Sequence, residues 1–413
     1  MKSRSGSTRF KSTSPTAAVA YRKDVESRKS PIGADDGSWI VIATIVGHIA
    51  YAEGSERRRF LDDAAKMAAE LFAPEALLVG CSYDPRPVDR RSSIAVLRLL
   101  AERMELLGAV NLSSSLLDSL ASVLPIDSLN AGRVLSQRAR IAWKLGKVDL
   151  ATARYQHLRR KARKLESNEL LVRSWAGFSG VAHMRGNYPD LRRWSQLIVD
   201  LAERCGYTRL SAVGHHGLAA VFAKDGDSHA AIPHAWAGYR ARSGDEKGQL
   251  AMLNNIGQLF LEIGQPAVAR TAFSRVLGSD PTLQTVAAAL GGYASACAAL
   301  DDRRAVTWAA GEAASLSNTI VRGSYELAAA LIDCADALEL IGDAPYALVL
   351  RARGSAVAQY AGYHELVFKT ETAIRGSVSK DRVELQGLSV VVAEEIAKLP
   401  AVVLPDHLEL VSA

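Results

Sequence analysis

Four histidines, His215, His216, His229 and His234, fall within twenty residues and are the first place to look for chemistry. A metal site needs three or four ligands converging on one point. His215 and His216 are adjacent, so on a helix they diverge by about 100°. His229 and His234 stand five apart on the following helix and face different sides. The pattern suits structural histidines, and no metal site is expected. His364-Glu365 opens like a metalloprotease motif but continues with Leu366, Val367 and Phe368, so the second ligand is missing. The chain has no Gly-rich phosphate loop and no G-x-S-x-G elbow. Cys81, Cys205, Cys297 and Cys334 form no C-x-x-C pair. Cys297 and Cys334 sit where a modest apolar residue is wanted and read as buried structural thiols. The run Arg159, Arg160, Lys161, Arg163 and Lys164 could hold phosphate, but it covers more than one helical face and reads as a solvated helix extension. These residues predict no catalytic site, no cofactor and no enzyme activity.

Composition bounds what remains. The 413 residues are 48% hydrophobic and 23% charged, with a mean hydropathy of +0.03, too apolar for a disordered chain. No run reaches the roughly 18 apolar residues that a membrane helix needs; the longest, Trp39 to Ala52, contains His48. Scattered cysteines without a disulfide framework suit a reducing compartment, and a cytoplasmic protein is expected. Residues 1–30 carry eight basic and two acidic side chains, a surplus equal to the whole net charge of +6. The basic pI therefore describes a Ser/Thr-rich tail and not a basic domain. Residues 1–37 are expected to be a disordered tail, since such composition buries too little to offset chain entropy. An arm on nucleic acid or acidic lipid, a transit-type segment or a docking tail are the functional alternatives.

From Trp39 onward the chain reads as helix after helix, each about 12 to 16 residues, broken by Gly, Asp or Pro. Turn residues recur at Gly108, Gly146, Gly186, Gly226, Gly264, Asp301 and Gly342, spaced 38, 40, 40, 38, 37 and 41 residues. Seven positions before each stand Ala101, Ala139, Ser179, Ala219, Gly257, Ala294 and Ala335, all small. Five after it stand Ser113, Ala151, Leu191, Ala231, Ala269, Val306 and Ala347. Positions −11, −7 and −4 share one helical face. The small residues let two helices of a hairpin approach closely, and each hairpin leaves an apolar flank that only its neighbours can cover.

This pattern resembles the tetratricopeptide repeat. The unit from Leu250 to Pro281 carries Leu253, Ile256, Gly257, Phe260, Gly264, Ala269, Phe273, Val276 and Pro281, where the family favours large, Leu, Gly, aromatic, Gly, Ala, aromatic, small and Pro. The likeness spans about residues 94 to 365, in seven units. It departs from the family at Leu191, Ser195, Asp301 and Arg351, and its pitch near 40 exceeds the family's 34. Long-pitch arrays of this kind resemble the kinesin-light-chain type and the sensor regions of MalT-like regulators. The resemblance implies an all-α fold, an α-α superhelix of about seven hairpins. The expected organisation is a tail (1–37), an N-terminal helical cap (38–92), the array (93–365), and capping helices with a loose end (366–413) that cover the last hairpin.

In that fold the concave face is lined by the first helix of each hairpin, at offsets −13, −10, −6, −3 and −2 from the turn. Those offsets give Arg98 and Glu102, then Arg133, Arg140, Trp143 and Lys144, then Arg173, His183 and Met184, then His216 and Lys224. Asn254, Gln258 and Glu262 follow, with Asp336 and Glu339 in the last unit. Asn255 lies in Leu253-Asn254-Asn255-Ile256-Gly257, similar to the family's Asn-Leu-Gly segment whose amide contacts peptide backbone. The alternative for Asn255 is a helix-surface residue without a ligand. A basic stretch followed by an acidic end suits an acidic or C-terminal-carboxylate peptide. The expected function is a non-enzymatic protein- or peptide-binding adaptor that uses this groove. The alternative is the effector- or peptide-sensing module of a signalling or transcription-regulatory system without its own DNA-binding domain. No helix-turn-helix signature precedes the array, so direct DNA binding has little support.

Overall fold

A computed structural model describes residues 90–106, 110–317, 324–372, 385, 387–400 and 404. The expected tail, nearly all of the expected N-terminal cap, Gly108 and Cys81 lie outside the described residues. Among those described there are sixteen helices and no strand. They form two compact units that divide at Gly146–Lys147, the turn that the sequence places in the middle of its second hairpin.

The first unit holds α1 (Arg90–Leu106), α2 (Val110–Val123) and α3 (Leu129–Lys144). The second opens with α4 (Val148–Lys164), α5 (Asn168–Met184), α6 (Tyr188–Arg204), α7 (Thr208–Lys224) and α8 (Ser228–Ala241). It continues with α9 (Glu246–Glu262), α10 (Pro266–Leu277), α11 (Leu283–Ala299), α12 (Arg303–Leu316), α13 (Tyr325–Leu340) and α14 (Ala344–Ala361). Two short helices end it, α15 (His364–Thr372) and α16 (Leu388–Ala397). Within each unit, consecutive helices up to α14 pack on one another, and first helices also touch first helices: α1 on α3, α5 on α7, α9 on α11, α11 on α13.

Local chemistry sets the boundaries. Ser128, Ser167, Asn187, Asp227, Asp245, Thr282, Asp302, Ser324 and Asp343 each accept a hydrogen bond from a first-turn amide of the helix they precede. Gly146, Gly186, Gly226, Gly264 and Gly342 take φ between 64° and 86°, and Asp301 is forced to 55° at the same place. A side chain in the left-handed region costs roughly 1–2 kcal/mol. Asp301→Gly is therefore expected to raise the stability of α11 and α12 by about 1 kcal/mol, read as slower amide exchange in both helices.

The seven residues at −7 and the seven at +5 are all buried. Ser113 Oγ donates to the Ala101 carbonyl at 2.7 Å, a direct link between +5 and −7 of one hairpin. Between hairpins, a second rule operates. In three places the residue at +9 meets a glycine at −9 of the next hairpin. A Cβ on Gly177 would run into the Tyr155 ring, one on Gly217 into Ser195, and one on Gly292 into Phe273.

The end of the chain differs from expectation. α15 packs on α13 and α14, but α16 leaves the last hairpin and lies on α8 and α10. Nothing in residues 366–413 read alone distinguishes one apolar flank of the array from another.

Candidate binding groove

In the first unit the expected groove residues are occupied by one another. Gln137, fully enclosed on α3, accepts from Arg98 Nε at 3.1 Å and donates to Glu102 Oε1 at 2.8 Å. Glu105 is only 7% exposed. Its carboxylate accepts from Arg140 at 2.7 Å and lies 2.8 Å from Lys144 Nζ. Arg133 and Trp143 are half-buried on the same helix. Arg140 and Lys144 therefore neutralise a carboxylate of α1, which corrects the expectation of an open basic stretch. Glu105 stands at −3, a groove offset, and sequence spacing alone gave no sign that it would be enclosed.

In the second unit the pairing continues. Arg173 Nε donates to Glu169 Oε1 one turn back, at 2.9 Å. At the far end Asp336 and Glu339 are both held by Arg351, and Lys369 lies 2.6 Å from Asp333. The acidic end is thus internally neutralised, like the basic one. Between them the first helices present a stripe of small side chains that stay partly exposed: Gly180, Val213, Ala220, Ala251, Ala288 and Ser295.

Polar groups cross this stripe in a line. The His183 and His216 rings lie 6.3 Å apart, and Asn255 Nδ2 lies 3.5 Å from His216 Nδ1. Asn254 is 7% exposed and its Oδ1 has no hydrogen-bond partner. Gln258 projects against Gly292 of α11, where an added Cβ would come within 2.6 Å of its amide nitrogen. Burial pushes His183 down, and burial, then His183 and Arg242, push His216 down to about 4. Both rings are neutral at pH 7. The unfolded chain protonates His216 near the ordinary 6.5 while the folded one resists until about 4. Stability is thus expected to fall as pH drops from 6.5 towards 4, because the unfolded state binds the extra proton. Denaturant titrations across that range should show the slope, and His216→Gln should flatten it.

The other histidines face elsewhere. His215 Nε2 donates to Glu203 Oε1 at 2.9 Å, and its Nδ1 lies 3.2 Å from His234 Nδ1. His234 stacks on Phe222 at 5.4 Å. The adjacent pair diverges as helical geometry requires, but His215 meets His234 on the next helix, which spacing did not reveal. Among the described residues no group of three or more His, Cys, Asp or Glu could hold a metal ion. Cys297 and Cys334 are buried free thiols, and burial pushes both up, Cys297 to about 11. No described helix is long and apolar enough to cross a membrane.

The chain is an all-α helical-repeat protein whose hairpins resemble a tetratricopeptide-type solenoid. No family model matches it, and no curated protein does. Among solved structures it is similar to BtubC (BKLC) from P. vanneervenii, with 13% identity, 71% of this chain and 97% of that chain covered, and a TM-score of 0.35.

Proposed function

We propose that the chain is a non-enzymatic adaptor that binds a protein or peptide on the first-helix face of its second unit, across α5, α7, α9 and α11. The observation that supports this reading is the row of amides that runs through Asn255 and Gln258, underlain by Asn254. A buried amide oxygen without a partner costs about 1–3 kcal/mol, and here it sits beside Asn255, Gln258 and His216 on one stripe. Asn255 and Gln258, both partly exposed, offer donors and acceptors to an extended backbone. Arg173 is a flanking contact, already paired with Glu169. The neutral histidines and paired cations favour a ligand read through its backbone over one read through acidic side chains.

The test is selection of binders from a displayed random-peptide library on the full chain, followed by titration of the winners. Ala220→Trp and Asn255→Ala should each weaken them about tenfold, or about 1.4 kcal/mol. Affinity should change less than about twofold on raising salt, since no net charge is screened. Binders indifferent to both substitutions would sink the reading.

A further inference from the structure

α16 is ten residues long and begins after Gly387, whose φ is 57° and which supplies no side-chain cap. It contains Val390, Val391 and Val392 in succession, β-branched residues that a helix disfavours. A helix this short is not stable alone in water. It exists because it is seated. Ser389, Val392 and Ile396, at i, i+3 and i+7, are almost wholly buried in the core that α8 and α10 share. Leu385, Ala393, Leu399 and Leu404 pack against the same core.

The seat is made of contacts that come apart easily. Ser389 Oγ donates to the His229 carbonyl at a long 3.4 Å and lies 3.4 Å from His229 Nδ1, across 160 positions of sequence. Glu395 pairs with Lys398 of its own segment at 2.7 Å and not with α8 or α10. The opposite side of the helix leaves Leu388 and Val391 exposed. His229 Nε2, meanwhile, is buried without a partner, so the α8 side of the seat is incompletely satisfied by the helix now in it. Elements with few buried contacts and no charged anchor belong to the low-stability end of a protein and open before the rest.

We propose that the furrow between α8 and α10 is a docking site for an amphipathic helix, closed in the free protein by α16. The partner that opens it carries a small residue, a β-branched residue and an aliphatic residue at i, i+3 and i+7, the pattern of Ser389, Val392 and Ile396. This is helix-in-groove recognition with the chain's own segment as the placeholder. The furrow lies on second helices, so the proposal stands apart from the first-helix stripe.

The probe is a fluorescein-labelled peptide of residues 385–400, titrated by anisotropy into full-length protein. Val392→Asp with Ile396→Asp unseats α16 in cis and should bind the peptide. The wild type should bind about tenfold or more weakly, because only its open fraction is competent. A locked form, Ser389→Cys with His229→Cys joined by a disulfide, should not bind, and reduction should restore wild-type behaviour. Circular dichroism of the double Asp variant, losing no more than one short helix, shows that the furrow is still folded. No binding to that variant, or equal binding to all three proteins, overturns the proposal. So does a wild-type dimer in sedimentation that the double Asp change dissociates, which would make a second copy the occupant.

Discussion

Gly292→Val is expected to destabilise the second unit by about 3 kcal/mol, whereas Gly180→Ala should stabilise it by up to about 1 kcal/mol. Both glycines lie inside first helices, where propensity alone favours replacement. They differ in what a side chain would meet. At Gly180 nothing lies within 4 Å. At Gly292 a Cβ would come within 2.6 Å of Phe273 Cε1 and of Gln258 Nε2. Gln258 can swing away, but Phe273 cannot. It is fully buried, and its other side rests on Gly257, where a Cβ would stand 2.8 Å from the ring. The ring is clasped between two helices that both lack a side chain at the contact. Amide exchange should rise in α9, α10 and α11 in the first variant and fall slightly in α5 in the second. Equal effects of the two changes would mean that helix propensity, and not contact between hairpins, dominates.

Arg351→Ala is expected to cost about 2–3 kcal/mol, and Arg351→Phe less than about 1.5 kcal/mol. Arg351 stands at +9, where the repeat calls for an aromatic or small apolar residue. Its side chain is 9% exposed and donates to Asp336 Oδ1 at 2.8 Å and to Glu339. Alanine leaves both a cavity and two carboxylates without their cation. Phenylalanine refills the space, and the carboxylates, at 34% and 44% exposed, can turn to water. The pH dependence separates the two terms. The hydrogen bond from Arg351 holds the Glu339 carboxyl below its ordinary 4.5. That contribution is complete above 4.5 and is lost as pH falls through the lowered value. The acid limb of the stability curve should therefore flatten in both variants, although only alanine is costly at pH 7.

What was legible in the sequence and what was not divide along a physical line. Periodicity reports which face of a helix is enclosed, so it places the small residues at −7 and +5 in the interior. The groove offsets are less uniform: Arg140, Arg173, Gln258 and Glu339 are partly exposed, whereas Glu105 at −3 and Asn254 at −10 are enclosed. Spacing cannot report which side chain answers a charge from the neighbouring helix. Glu105 and Arg140 are 35 positions apart, and only the packing of α1 on α3 makes them partners. The expected basic residues Arg140 and Lys144 are paired there for that reason. Asp301 illustrates the converse, since its position in the count gave its left-handed turn without any help from residue type. Residues 388–397 are apolar at most positions and carry no mark that favours one flank of the array over another, so the seat of α16 stayed hidden.

That seat also has a consequence for how the chain acquires its structure. Hairpins in an array can condense on their neighbours as they leave the ribosome, since nearly all their contacts are local. The α8–α10 furrow cannot be completed that way. Leu277, the end of α10, precedes Leu388 by 111 positions. At about 5–20 residues per second of synthesis, the furrow stays bare for roughly 6–20 s after it forms. Among the described residues this late contact spans 160 positions from His229 to Ser389, and a nascent or truncated chain displays an apolar strip that the finished protein covers.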